Sequence, residues 1–117
     1  MSIEYLGEKV FLEEVAASGQ VWVAKNAQHR VHADELDRTG LSLPVWSAPE
    51  RAQAYLLNAR LLGPRYEPHA IPLKVFNDAW LSDWVKGFTE VQLNPDGRSS
   101  RVLVMTSEEF QTACTAG

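Results

Sequence analysis

Three histidines are the first residues in this 117-residue chain that could carry out chemistry. His29 and His32 lie three positions apart in a polar stretch, and His69 is distant in sequence. Two imidazoles at this spacing can share a metal ion only on a helix or across a turn, because on an extended strand they point to opposite faces. No Cys or carboxylate lies at zinc-ligand spacing from them. The pattern favours solvated loop histidines, so we expect no metal site and no cofactor.

The potential nucleophiles lack neighbours that would activate them. Cys114 is close to the C-terminal end, where a chain is expected to fray, and no basic residue stands near it in sequence. The serines lie at predicted caps and turns, and neither a G-x-S-x-G elbow nor a glycine-rich phosphate loop is present. The acidic residues fit solvated faces and helix N-termini. The sequence therefore predicts no catalytic residue.

Tryptophans give the strongest packing signal. Trp22 and Trp46 lie in predicted strands and Trp80 lies within a predicted helix at core spacing, which favours a structural role for all three. Trp84 follows one turn later, near the predicted end of the same helix. It is a candidate binding residue because an exposed Trp can anchor a partner, with packing at the core edge as the alternative.

Charge restricts the class of partner. The net charge is −4 and the isoelectric point is about 5.3, without any run of five like charges, which argues against binding to nucleic acid or to an anionic membrane surface. Arg51 and Arg60 face opposite sides of an ideal helix, so they make no basic patch. A single cysteine fits a reducing compartment. With neither a secretory signal nor an apolar run of roughly 20 residues, we expect a cytoplasmic protein.

Hydrophobic periodicity predicts one α+β domain over residues 1–117, in the order α-β-β-β-α-α-β-β-α. Adjacent strands predict a mainly antiparallel sheet of four to five strands with three to four helices packed on it. The predicted helices are Ile3–Ala17 (amphipathic, with Leu6, Val10, Phe11 and Val15 at helical spacing), one from Ser47 toward Gly63-Pro64, Lys74–Lys86 and Ser107–Cys114. The predicted strands are Gln20–Lys25, Arg30–Ala33 (short), Leu41–Trp46, Phe88–Leu93 and Arg101–Met105, with a connection from Gly63 through Pro68.

Two S/T-x-x-E patterns predict helix starts. Ser47 and Glu50 are expected to form one capping box, and Thr106 and Glu109 a second. Between the last two strands, the segment Asn94-Pro95-Asp96-Gly97 predicts the turn of a β-hairpin.

The chain resembles a small bacterial family known only as domain of unknown function 2750, over about residues 5–112. The residues that carry this resemblance are Val21-Trp22, Leu43-Pro44-Val45-Trp46-Ser47, Glu50, Ala52, Ile71, Leu73, Phe76 and Trp80-Leu81. The resemblance implies no established activity. The segment Leu43–Ala52 is also similar to the N-terminal domain of the enhanced-serine-sensitivity and type III secretion regulator families, which implies a protein-binding or regulatory role.

Two classes of function remain open. The first is a non-enzymatic module that interacts with another protein as a regulator, an adaptor or an immunity-type protein, and the absence of a catalytic set favours it. The second is a small-molecule-binding domain or a small enzyme with a site assembled from dispersed residues such as Tyr66, His69 and Asp83. A concave site with converging polar groups would favour the second class. A homo-oligomer is compatible with both.

Overall fold

The computed structural model describes residues 3–36, 40–60, 63–83, 86–99 and 101–114. Within these ranges the chain forms four helices and six strands, which confirms the predicted α+β class. The elements in chain order are α1 (Ile3–Ser18), β1 (Gln20–Asn26), β2 (Asp34–Leu36), β3 (Gly40–Val45), α2 (Pro49–Asn58), a 3₁₀ turn (Gly63–Arg65), β4 (Tyr66–Pro72), α3 (Leu73–Val75, continued by a π-helix over Phe76–Leu81), β5 (Phe88–Leu93), β6 (Leu103–Thr106) and α4 (Ser107–Ala113).

The strands form two pieces of sheet, with the orders β1-β4 and β2-β3-β5-β6. Every pair is antiparallel except β3 with β5, so the prediction of a mainly antiparallel sheet is confirmed. The parallel pair requires a long crossover, which α2, β4 and α3 supply. Reciprocal backbone bonds between Trp22 and Trp46, with N···O distances of 2.8 and 2.9 Å, join β1 to the end of β3 and connect the two pieces.

Apolar side chains are buried on both faces of the sheet. The larger cluster draws on α1, α4, the α3 segment and the strands, and its bulkiest members are Phe11, Phe76 and Phe110. The smaller cluster packs α2 on the opposite face around Trp46, which is fully buried and donates its Nε1–H to the Pro95 carbonyl at 2.8 Å. The structural role expected for Trp46 is thereby confirmed, whereas Trp22 and Trp80 are half-buried against these clusters.

Strand β4 was not predicted, because Pro68 and Pro72 indicate a connection. Proline is tolerated in an edge strand, where the missing N–H removes no ladder bond, and β4 pairs with β1 alone. The short strand predicted at Arg30–Ala33 is also wrong. Only Val31 makes a bridge there, with Lys25, and the strand itself begins at Asp34.

The helix predicted over Lys74–Lys86 is shorter and differently wound. It begins at Leu73, changes to π geometry at Phe76 and ends at Leu81. The Asn77 carbonyl accepts both the Ser82 backbone N–H at 3.2 Å and the Ser82 hydroxyl at 2.8 Å, and the side chain of Gln111 adds a third bond at 3.0 Å. These three bonds to one carbonyl stabilise the i→i+5 turn, and the helix ends there.

Among the described residues, none of the helices combines the length and the apolar character that crossing a bilayer requires.

Candidate functional site

A groove with a volume of about 1050 Å³ runs beside β6, between α1 and the β5–β6 hairpin. β6 is an edge strand, because β5 is its only partner in the described sheet. The lining includes four consecutive residues, Arg101 to Val104. Arg101 and Val102 precede β6, and Leu103 and Val104 are its first two residues. Since consecutive residues of a strand point to opposite faces, a surface lined by both Leu103 and Val104 follows the edge of the strand where it begins.

The walls of this groove are apolar. Of six large apolar side chains that are exposed among the described residues, four line it. These are Leu6 (46% exposed) and Val10 (38%) of α1, with Val102 (38%) and Val104 (49%) on the β6 side. Exposed apolar surface concentrated in one place marks an interaction site more often than scattered apolar residues do.

The edge of β6 is less protected than the edges of β4 and β2. β4 carries two prolines, and the short strand β2 begins with Asp34 and Glu35. Prolines and charges of this kind discourage pairing with another chain. β6, in contrast, contains only Leu, Val, Met and Thr between Leu103 and Thr106.

A hydrogen-bond network closes the hairpin end of the groove. The buried Ser47 hydroxyl donates to Glu14 Oε1 at 2.5 Å, and Asn94 Nδ2 donates to Ser47 Oγ at 2.9 Å. Arg51 pairs side-on with Glu14, with Nε–Oε1 at 2.7 Å and Nη2–Oε2 at 3.0 Å. The Ser47 backbone N–H goes to Asn94 Oδ1 at 2.9 Å. The network ties α1, the start of α2 and the hairpin together.

The capping box predicted for Ser47 and Glu50 is therefore wrong. The N-cap of α2 is Ala48, no side chain caps it, and Pro49 opens the helix. The Ser47 hydroxyl is directed to α1 and the hairpin, so it does not reach the helix N-terminus. The second predicted box is confirmed, because Thr106 Oγ1 accepts the Glu109 N–H at 3.1 Å and Glu109 Oε1 accepts the Thr106 N–H at 3.0 Å.

The pair of Ser47 and Glu14 does not have the properties of a nucleophile and its base. Hydrogen bonds from Arg51, and secondarily from Ser47, hold the pKa of Glu14 below its ordinary value, so this carboxylate is a weak base. Ser47 is only 2% exposed, which keeps substrate away from its Oγ. The network fixes the shape of the groove end.

The structure places Tyr66 and His69 on opposite faces of β4, since they are three residues apart in one strand. Tyr66 packs edge-on against His32 at 5.7 Å between ring centroids, whereas the side chain of His69 lies on the face of Val23, its partner in β1. Asp83 forms an ion pair with Lys86 at 3.7 Å. The fold does not bring Tyr66 and His69 together, and each stays a separate candidate. Trp84 lies outside the described residues.

A polar-aromatic cluster that the sequence did not indicate surrounds His32. Its Nε2 lies 3.3 Å from the Tyr55 hydroxyl. Burial lowers the pKa of His32, and the nearby Asp34 carboxylate partly opposes this shift. Burial, together with the Asp34 charge, raises the pKa of Tyr55. Both groups are therefore neutral at pH 7 and contribute to packing beneath α2.

The part of the chain that the structure describes contains no group of three or more His, Cys, Asp or Glu side chains placed to hold a metal ion. Cys114 is buried at the end of α4 instead of fraying, and burial raises the pKa of its thiol to about 11. At neutral pH the thiol is protonated and packs as an apolar side chain.

A family model matches residues 9–113, nearly the whole chain, and its description is "Protein of unknown function (DUF2750)". The chain belongs to the DUF2750 family. The family is defined without an activity, so membership leaves the function to be argued from the groove. No match was found among curated proteins.

Proposed function

We propose that this DUF2750 member is a non-enzymatic interaction module of the bacterial cytoplasm that binds an extended segment of another protein along the free edge of β6. The observation that carries the proposal is the lining of the groove by consecutive residues Arg101 to Val104. A regulator, an adaptor or an immunity-type protein would each use such a surface to hold its partner.

The backbone of β6 supports strand addition. In an antiparallel pair, alternate residues direct their N–H and C=O groups to the partner strand, and the residues between them direct these groups outward. Because β5 occupies one side of β6, the outward groups face the groove. An extended peptide can pair with them, and main-chain hydrogen bonds of this kind supply affinity in strand-addition complexes.

The side chains around the edge support specificity. Val102 and Val104 stand on one face of the added strand's path, and Leu6 and Val10 of α1 border the groove. Val104 lies on the face of Gln92, away from α1, whereas Leu103 faces Gly7 of α1. Alternate apolar residues of a bound strand would therefore cover the two valines, and the residues between them would lie toward Leu6 and Val10. Removing apolar surface from water contributes roughly 25 cal/mol per Å², although ordering the peptide offsets part of this gain.

The alternative, a small-molecule site or enzyme, has less support from this groove. Its polar residues are gathered at the hairpin end, where Arg51 and Asn94 are already held by the Ser47 network. Among the described residues that line the groove, no polar side chain with a strongly shifted pKa points toward the apolar part.

Selection from a displayed library of random peptides, about ten residues long, tests the proposal. We expect enriched peptides with apolar residues at alternate positions, and amide chemical-shift changes on β6 when such a peptide binds. Val104→Lys should weaken binding at least about tenfold, because it places a charge in the apolar groove. Val75→Lys is the matched control, since Val75 is 46% exposed and lies outside the groove.

The proposal fails if no peptide is enriched, or if the enriched peptides bind Val104→Lys and Val75→Lys equally well. Thermal unfolding of both variants should give melting temperatures close to that of the unsubstituted protein, because both valines are exposed.

A further inference from the structure

We infer that the segment bound along β6 carries a carboxylate, which binds Arg51 at the hairpin end of the groove. The inference rests on the proposed function and names the chemistry of the partner: an extended apolar segment with an acidic side chain, or with its own C-terminal carboxylate, at one end. Both sources offer the same planar anion to the guanidinium.

The geometry of Arg51 leaves donors for a second anion. A guanidinium has five N–H donors in a planar fork. Nε and one N–H of Nη2 bond to Glu14 along one side of this fork. The guanidinium of Arg51 gives no other hydrogen bond to the residues that the structure describes, and the side chain is 42% exposed on the groove wall. The end-on pair of N–H groups, on Nη1 and Nη2, is suited to a second carboxylate.

The charges around the groove do not oppose an anion. Its charged lining residues are Arg51, Arg101 and Asp96, two cations and one anion, on a chain with a net charge of −4. The Asp96 carboxylate already accepts the backbone N–H groups of Arg98 at 2.8 Å and Ser99 at 2.9 Å. These backbone bonds hold the pKa of Asp96 below its ordinary value and occupy its Oδ1. With Glu14, which is paired with Arg51, the two cations at this end of the groove are balanced by two anions. An incoming carboxylate would therefore be bound by the directed N–H groups of Arg51 and not by an excess of positive charge.

Arg51 is also held in position before a ligand arrives. Its partner Glu14 is fixed by the buried Ser47 hydroxyl, and Asn94 fixes Ser47 from the other side. A side chain that is already ordered loses less conformational entropy on binding. Because the interaction depends on the planar fork of the guanidinium, a lysine at this position should not bind the carboxylate in the same way, although it keeps the charge.

The test is a double-mutant cycle that combines changes in the protein with changes in a peptide selected for binding to the unsubstituted protein. We expect an Asp, a Glu or the free C-terminus at one end of the enriched peptides. Replacing that carboxylate by its amide (Asp→Asn, Glu→Gln or a C-terminal amide) should weaken binding about tenfold or more, the size of a charge-assisted hydrogen bond. The side-chain and C-terminal amides distinguish the two sources.

The same amide change should have little effect on binding to Arg51→Gln and Arg51→Lys, since the interaction is already lost. Arg60→Gln is the control, because it removes the same charge from an exposed site beyond the end of α2 and outside the groove. The peptide changes leave the protein untouched, so the inference stays falsifiable even if an Arg51 variant unfolds.

The outcomes separate the inference from the proposed function. If the peptides depend on Val104 but show no preference for a carboxylate, or if the amide change has the same effect on Arg51→Gln, the carboxylate inference is wrong and the function stands. If the selected peptides do not depend on Val104, both are wrong. A carboxylate preference that Arg51→Gln abolishes and Arg60→Gln preserves supports both.

Discussion

The Ser47 hydroxyl donates a 2.5 Å hydrogen bond to Glu14 Oε1, across 33 residues of chain, instead of capping the helix that follows it. This bond places the end of α1 against the start of α2. Arg51 of α2 donates two hydrogen bonds to the same carboxylate. Glu14 therefore connects α1 to the start of α2 at the hairpin end of the groove.

Substitutions at Ser47 distinguish this role from helix capping. Asp is a favoured N-cap residue, so a capping Ser47 would tolerate Ser47→Asp. In the structure, however, that change puts a second buried carboxylate against Glu14. We expect Ser47→Ala to cost about 1–3 kcal/mol, through the unsatisfied partners it leaves, and Ser47→Asp to cost more, both measured by urea unfolding.

Thr106 supplies the matched control. Its hydroxyl is a true N-cap, so Thr106→Asp should change the free energy of unfolding by less than about 0.5 kcal/mol. Equal tolerance of Asp at Ser47 and at Thr106 would contradict the structural assignment.

These two positions also show what the sequence could predict. Thr106 and Glu109 form a capping box because both partners are local, so the S/T-x-x-E pattern contains all the information needed. Ser47 has the same local pattern, but its partners are 33 and 47 residues away. A local motif cannot reveal which distant acceptor will compete for the hydroxyl.

The candidate site could be predicted from the sequence only in part, for a similar reason. The apolar spacing on α1 was correct, and Phe11 and Val15 are buried, yet Leu6 and Val10 remain exposed on the groove. Which part of an apolar stripe stays uncovered depends on where β6 lies in the sheet. The strand order, with its parallel pair and the proline-containing β4, follows from long-range pairing that periodicity does not specify.

Acid should destabilise the protein partly through Glu14. Its folded pKa lies below the ordinary value of 4.5, mainly because of the Arg51 hydrogen bonds. A lowered folded pKa gives stability that is present above the unfolded pKa and is lost as the pH falls below about 4.5 through the folded value. Glu14→Gln should therefore be less stable than the unsubstituted protein at pH 7, with a difference that shrinks toward pH 3, as urea unfolding across this range would measure.

Arg51→Gln removes the main cause of the lowered Glu14 pKa. The free energy of unfolding of this variant should therefore decrease less on acidification than that of the unsubstituted protein. Asp96 and Glu109, whose pKa values are also lowered, retain their own contributions in both variants. An acid-induced loss in Glu14→Gln as steep as in the unsubstituted protein would contradict the assignment.

His32 should produce a separate loss of stability at a higher pH. Because burial lowers its folded pKa below 6.5, the unfolded chain binds the proton more readily than the folded one. Stability therefore falls as the pH decreases from about 6.5 toward the folded pKa and then levels off. His32→Gln should remove this part of the pH dependence of the melting temperature. NMR titration of the His32 ring should give a midpoint below 6.5, and a midpoint above that value would refute the prediction.

Gly7 and Leu103 offer a test of the packing between α1 and β6. A Cβ on Gly7 would lie 2.9 Å from Leu103 Cδ1, so the absence of a side chain on the helix permits the close approach. Gly→Ala inside a helix gains up to about 1 kcal/mol from propensity, but here Leu103 must move.

We expect Gly7→Ala to stabilise the Leu103→Val background, which lacks Cδ1, by about 0.5–1 kcal/mol more than it stabilises the unsubstituted protein. In the Val104→Ala background, where Cδ1 of Leu103 is still present, Gly7→Ala should have the same effect as in the unsubstituted protein. Equal effects of Gly7→Ala in all three backgrounds, measured by urea unfolding, would show that the contact does not limit the approach of α1 to β6.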